Sequence, residues 1–429
     1  MEDPTTTARK LIEQFKGDCY AFGPGLIGQV GQMAARLGDE FFLVRGRSCE
    51  GNGMLAGLRR SFAEAGVVIV GQCMGAGPNS PVRDVERVRD QILDAEPQAV
   101  VGLGGGSLID GLKGSIALAS LGGRCTDYYG VGKVGRAMKN QDAELVPFLV
   151  VQTASGSGAH LTKYANITDT NTMQKKLFID RAVVPPLALF DYDATVTMPP
   201  KFTKVGAFDG ICHLLEVYFG LPEGHGKAEL VESIALTGLE LIMSALPGAL
   251  EQPRSSPLRE RIGLGTDLGG YAIMIGSTNG PHLNSFSLVD VMDHGEATAL
   301  LTPYYVAFFT PAIEGRVRKV GRLYAQYGYA DEAALAEASG PELGLVVGRA
   351  MAALAESVGF PVRLEQVEGF REEHIKRMLE AARDPALSSK LEGMPIAMEP
   401  DDVDRFMAPI LEAARTGDFS QIVPHPDYC

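Results

Sequence analysis

Short continuous apolar runs recur as far as about residue 190, each separated from the next by a stretch with helical spacing. Glu40–Val44 (EFFLV), Gly66–Gly71 (GVVIVG), Gln98–Leu103 (QAVVGL) and Leu145–Val151 (LVPFLVV) predict strands, the second of them buried. Leu55–Ala65 and Val82–Glu96 predict helices. In the latter, Val85, Val88, Ile92 and Leu93 share one face. Such alternation points to a parallel sheet with helices on both faces. Beyond Pro199-Pro200 the texture changes. Long helical patterns take over, at Ala228–Leu246, Ile262–Ile275, Ala299–Phe309, Glu342–Val358 and Pro400–Ala414. The expectation is an α/β domain over residues 1–198 and an all-α domain over 199–429, closing in a loose tail from Thr416 to Cys429.

The chain has 429 residues, 45% hydrophobic and 21% charged, which excludes disorder for most of it. A net charge of −14 with no basic block argues against nucleic acid and against an anionic membrane. No apolar run approaches the ~20 residues of a membrane helix. The N-terminal MEDPTTTARKLIEQF lacks the apolar core of a signal peptide. Six scattered cysteines without a CxxC pair fit reduced thiols, so a cytoplasmic protein is expected.

Two turns carry candidate chemistry. Gly104-Gly105-Gly106-Ser107 follows a strand and opens a helix. Backbone can approach a phosphate closely there, and the helix N-terminus attracts an anion. Taken alone, GGGS serves equally as a plain strand–helix turn. Thr153–Gly158 (TASGSG), with the hydroxyls of Thr153 and Ser157, also follows a strand. Two such turns at carboxyl ends of parallel strands would flank one crevice.

Asp209 and His213 lie four residues apart on a predicted helix, so their side chains meet on one face. Alone, the pair reads more readily as an Asp–His hydrogen bond in a core. His282 and His294 follow in apolar surroundings, however. One carboxylate and three imidazoles suffice for a catalytic metal with an open position. The other four histidines, His160, His225, His374 and His425, fall in loop-like or polar contexts and are read as solvated, His160 abutting the TASGSG turn.

Four blocks in this order resemble the iron-containing (group III) alcohol dehydrogenases, from about Phe22 to about Ala414. They are GGGSLIDGLK at Gly104–Lys113, TASGSGAHLTKYANITD at Thr153–Asp169, the stretch Leu189–Glu216 with FDGICHLLE, and His282–Pro303. The resemblance implies a Rossmann-like dinucleotide-binding α/β domain followed by an all-helical domain, a dehydroquinate synthase-like architecture with the active site in the cleft. It implies Asp209, His213, His282 and His294 as metal ligands and, through the metal, as the catalytic set. It places Gly104, Gly105, Gly106, Ser107 and Asp110 at the dinucleotide, with Gly106 and Ser107 lining the pyrophosphate. Asn79, Thr153, Ser157 and Lys176 join them as cofactor-contacting positions.

The activity so implied is hydride transfer between a nicotinamide and a small alcohol or aldehyde, in a homodimer or larger assembly. Fe²⁺ and Zn²⁺ suit the ligand set alike, and the resemblance favours Fe²⁺. Where many NAD-using relatives carry Asp after the second strand, this chain has Gly46 between Arg45 and Arg47, which favours NADP(H).

The sequence departs from the family pattern in places. The family's second histidine, four residues after the first and assigned to proton relay, is Phe286 here; Asp290 and Asp293 are candidate substitutes. The stretch between His282 and His294 is shorter than usual. Rival readings are a polyol dehydrogenase or dehydroquinate-synthase-like lyase of the same fold, and a metal-binding relative without catalysis.

Overall fold

The computed structural model describes residues 2–428. The chain divides into two compact units. One comprises Arg9–Thr203 and Gly248–Tyr271, the other Met1–Ala8, Lys204–Pro247 and Ala272–Cys429.

The first unit is built on a six-stranded sheet. In chain order the strands of this unit are β1 (Tyr20–Gly23), β2 (Glu40–Arg45), β3 (Val68–Met74), β4 (Ala99–Gly104), β5 (Gly130–Val131), β6 (Phe148–Gln152), β7 (Tyr164–Asp169), β8 (Gln174–Ile179) and β9 (Leu187–Asp191). The large sheet runs β1-β9-β6-β4-β2-β3, all parallel; β5, β8 and β7 form a small separate sheet. Continuous apolar composition follows from burial on both faces, and β4, β6 and β9 are buried at every position. Phe41, Leu43, Val101, Leu103, Leu149 and Val151 pack against Leu58 and Phe62 of the helix Met54–Glu64 on one face. On the other, Gly102 lets Leu112 of the helix Gly106–Leu121 approach: a Cβ at Gly102 would lie 2.5 Å from the leucine.

Connectivity defines where a ligand would sit. From β2 the chain moves outward to β3, then returns to place β4 on β2's other side. The loops leaving β2 and β4 therefore diverge at their carboxyl ends, the arrangement that opens a crevice in such sheets. Arg45-Gly46-Arg47 and Gly104–Ser107 are those loops.

Several expectations need correction. GVVIVG is an edge strand rather than a buried one, starting at Val68, and Val68 and Val70 are exposed because β3 has a neighbour on one side only. Leu93 is exposed as well: the helix Val82–Ala95 buries only Val85, Val88 and Ile92. β6 starts at Phe148, after Pro147. The short strands β1 and β9 and the antiparallel pair β7/β8 were not read as strands from periodicity. The helix Ser256–Ile275 starts earlier than expected, and most of it belongs to the α/β unit. Its small residues explain this: a Cβ at Gly263 would lie 2.4 Å from the Tyr192 ring, and one at Gly270 3.2 Å from Gly158.

The second unit is helical. Its main helices are Pro200–Gly220, Ala228–Glu251, His294–Gln326 and Gly340–Ser357. Contrary to the run-length reading, Ala228–Glu251 is long and apolar enough by length and composition to cross a membrane. Yet 56% of its apolar window is buried in the protein, and Glu232 within it accepts from Tyr218 Oη at 2.8 Å. The terminal stretch is not loose throughout: Phe419 stacks on Tyr304 at 4.6 Å. Cys19, Cys49, Cys73, Cys125 and Cys212 are free thiols; Cys429 lies outside the described residues.

Candidate active site

In the helical unit, the helix Pro200–Gly220 places Asp209, His213 and Glu216 at i, i+4 and i+7, one stripe of its surface. All three are buried. His282 comes from the short helix Gly280–Ser285, which Asn279 caps by accepting from the Gly280 N–H at 2.8 Å. His294 is the first residue of the helix His294–Gln326. Gly295 lets that helix start close against the first: a Cβ there would lie 2.0 Å from the Val205 carbonyl oxygen.

These elements converge on one atom. The Nε2 atoms of His213, His282 and His294 stand 3.6, 3.5 and 3.7 Å from Asp209 Oδ1. Neither Asp209 Oδ1 nor His282 Nε2 has a hydrogen-bond partner, although both are buried. Asp209, His282 and His294 form the tightest group, with ligand atoms all within 4.8 Å of one another. His213 adds its contact with Asp209 and stacks on His282 at 4.7 Å.

Buried polar atoms left without hydrogen bonds are costly unless something else satisfies them. A tetrahedral ion with ~2.1 Å bonds holds its ligand atoms about 3.4 Å apart. The spacing around Asp209 Oδ1 fits an ion better than it fits hydrogen bonds. Electrostatics agree. Burial pushes the Asp209 carboxyl up, but the imidazoles, His213 foremost, outweigh it and hold it ionised. Burial lowers His213 to about 4, which keeps it a neutral donor.

The surrounding groups orient the set. Glu216 Oε1 contacts His282 Nδ1, which turns Nε2 toward Asp209. Glu216 Oε2 accepts from the Asn279 N–H at 2.6 Å. Ser285 Oγ stands 3.1 Å from His294 Nδ1. Carboxylate and hydroxyl partners of this kind fix the tautomer and aim of metal-binding imidazoles. Glu216 belongs to the FDGICHLLE block, and its place seven residues after Asp209 is the sequence signal for this role. Phe286 is buried and stacks on His294 at 5.8 Å. Asp290 is no free relay: both of its oxygens face Arg377, and His374 Nε2 lies 3.4 Å away. That contact also corrects His374, which is buried rather than solvated.

In the α/β unit, the glycine-rich turns lie as expected at strand ends. Gly104 ends β4, Gly105 precedes the helix, and no side chain caps that helix N-terminus. Its first N–H groups are open to an anion. The Thr153 N–H donates to the Gly104 carbonyl at 3.0 Å, tying the two turns together. A Cβ at Gly106 would lie 2.3 Å from Ser157 Oγ. Asn79 adopts φ 61°, and its N–H donates to Ser107 Oγ at 3.1 Å. Thr168 Oγ1 donates to the Asn79 carbonyl at 2.6 Å. Gly46 donates its N–H to the Leu103 carbonyl at 2.9 Å.

Three of the predicted cofactor positions are otherwise engaged. Asp110 is buried and accepts from Asn166 Nδ2 at 3.0 Å, a partner within the fold. The Lys176 ammonium lies 5.7 Å from the centre of the Tyr129 ring. Arg45 pairs with Glu50 at 2.8 Å, whereas Arg47 is exposed.

His160 is the larger surprise. It is buried, not solvated, with Nε2 2.9 Å from Tyr20 Oη and 3.2 Å from Asp267 Oδ1. Asp267 Oδ2 also accepts from Tyr20 at 2.6 Å and Tyr192 at 2.8 Å. This buried knot fastens the segment after the TASGSG turn to β1 and to the helix Ser256–Ile275. The polar context of residue 160 in sequence gave no sign of a partner a hundred residues away.

With this geometry in place, likeness to known proteins can be read. The sequence matches the model of the iron-containing alcohol dehydrogenases over residues 18–192. It matches the C-terminal model of the Fe-containing alcohol dehydrogenase family over 203–408. The NAD-dependent methanol dehydrogenase of Bacillus methanolicus is 25% identical over 307 residues, 71% of this chain and 77% of that protein. Alcohol dehydrogenase 4 of Schizosaccharomyces pombe is 25% identical over 236 residues, 54% of this chain and 53% of its own length. The solved alcohol dehydrogenase from Oenococcus oeni shares the fold, with a TM-score of 0.79 at 24% identity, covering 92% of this chain and 98% of that one.

Proposed function

Because this chain belongs to the iron-containing alcohol dehydrogenase family, we propose that it is a divalent-metal-dependent, nicotinamide-linked dehydrogenase of small alcohols and reductase of the corresponding aldehydes. The observation that carries the proposal is the convergence of three imidazole Nε2 atoms, at 3.5 to 3.7 Å, on one buried oxygen of Asp209.

In this reading Asp209, His213, His282 and His294 hold the metal, with Fe²⁺ favoured on family grounds over Zn²⁺. The ion, when bound, supplies Lewis acidity to a substrate oxygen. The chain's own residues do the rest. Asp209 stays ionised and His213 neutral, the states in which both can bind an ion. Glu216 and Ser285 keep His282 and His294 aimed. The GGGS and TASGSG turns bind the dinucleotide through open N–H groups and hydroxyls. Phe286 closes the face of His294 with an apolar ring and transfers no proton.

For the dinucleotide, no carboxylate follows β2 at Gly46 to repel a 2′-phosphate, and Arg47 is exposed beside it. Both support acceptance of NADP(H). Arg45 adds less, being held by Glu50, and the Bacillus methanolicus relative is named as NAD-dependent. The test is cofactor oxidation with a panel of small aldehydes, run with NADPH and NADH on metal-analysed protein. Oxidation of neither cofactor by protein that holds metal refutes the proposal.

A further inference from the structure

His294 is the candidate ligand least enclosed by protein. Its side chain is 22% exposed, against 7% for His213, 3% for His282 and 8% for Asp209. Two neighbours aim its ring. Ser285 Oγ stands at Nδ1, and the Phe286 ring lies against its face at an interplanar angle of 18°. Both belong to the turn that leads out of the helix Gly280–Ser285. Where that turn sits therefore decides where the His294 imidazole points.

An arginine from far along the chain grips the turn. Arg377 lies on the helix Glu372–Ala382 and donates through Nε to the Ser287 carbonyl at 2.8 Å, with a second bond from Nη2. Its guanidinium also meets the Asp290 carboxylate, through Nη1 at 3.4 Å and through Nη2. His374, on the same helix, places Nε2 3.4 Å from that carboxylate. Ser287 is fully buried, whereas the Asp290 side chain is 31% exposed. An ion pair open to water contributes little. A buried carbonyl stripped of its donors is costly. The grip on Ser287 is thus the one that matters. It reaches Ser285 without slack: the Ser287 N–H donates to the Asn284 carbonyl and the Leu288 N–H to the Ser285 carbonyl, both at 3.1 Å.

We infer that Arg377 is a positioning residue for the metal centre: it clamps the turn 285–287 so that Ser285 and Phe286 aim His294 at the ion. The inference rests on the metal-dependent dehydrogenase reading above. A planar guanidinium can hold a carbonyl and a carboxylate at once, which an ammonium cannot do with the same geometry. The effect of Arg377 passes through His294. His213 is carried by its own helix, and His282 is aimed by Glu216.

The test loads the full chain with Co²⁺ and measures affinity by competition with a chelator in the wild type, Arg377→Met, His294→Ala and the double variant. Methionine keeps much of the arginine's stem and removes the fork. Arg377→Met should lower affinity about tenfold. In the His294→Ala background the same change should alter it by about twofold or less, because the ligand it acts through is gone. The visible absorption of bound Co²⁺ reports the geometry of its ligands, and in Arg377→Met it should move toward that of His294→Ala. Unchanged affinity in Arg377→Met overturns the inference. An equal loss in both backgrounds overturns it too, because a merely structural role weakens every background alike. If Arg377→Met does not fold, Arg377→Lys takes its place under the same criteria. Co²⁺ bound equally by the wild type and Asp209→Ala would instead bring down the metal centre, and with it both the dehydrogenase reading and this inference.

Discussion

Glu216 and His282 are locked together: the carboxylate meets Nδ1, and this aims Nε2 at Asp209 Oδ1, 3.5 Å away. The carboxylate's second oxygen is fixed by the Asn279 N–H. Removing it should loosen the imidazole without deleting a ligand. Glu216→Ala should therefore lower metal affinity about 10–100-fold, measured by competition with a chelator. Unchanged affinity would mean that His282 is aimed by its helix alone.

Gly295 sets how closely the His294 helix approaches the Asp209 helix. A Cβ at Gly295 would lie 2.0 Å from the Val205 carbonyl and 3.2 Å from the Asp209 Cβ. The backbone oxygen cannot yield as a side chain can. Gly295→Ala should cost about 1–3 kcal/mol of stability and should also reduce bound metal, because His294 moves with its neighbour. Thermal melts with and without metal separate the two effects. A variant as stable as the wild type and fully metal-loaded would show that the helices separate freely.

Arg47 is the exposed cation beside Gly46 at the end of β2. Arg47→Ala should raise KM for NADPH about tenfold and leave KM for NADH nearly unchanged. Equal effects on both cofactors would assign Arg47 to general charge and not to a 2′-phosphate.

His160 makes stability depend on pH. Burial lowers its imidazole below the ordinary 6.5. As pH falls below about 6.5, the unfolded chain takes a proton that the folded chain resists. Stability from this group is thus complete above that value and is lost as pH falls toward the lowered one. Melting temperature below pH 6.5 should fall more steeply in the wild type than in His160→Gln. Parallel curves would show that the buried knot with Tyr20 and Asp267 does not titrate.

The candidate cluster around Asp209 was legible in sequence because helical spacing is local. Asp209 and His213 announce a shared face, and the rarity of histidine made His282 and His294 conspicuous. The glycine turns were legible for the same reason, each following a strand in immediate sequence. What stayed hidden depended on contacts between distant segments. β1 and β9 are short and gain their identity by pairing with each other. β3 carries the apolar signature of a central strand, and only the strand order puts it at an edge. His160 and His374 sit in polar stretches, and their partners Asp267 and Asp290 lie far along the chain.

The central claim is that a metal held at Asp209, His213, His282 and His294 is required for alcohol–aldehyde interconversion. The most direct measurement is nicotinamide absorbance during aldehyde reduction, on one protein preparation before chelation, after chelation and after Fe²⁺ is returned. The account predicts turnover that vanishes with the metal and reappears with it, and that is absent in Asp209→Ala throughout. Turnover that persists in metal-free protein, or that survives loss of Asp209, would contradict it.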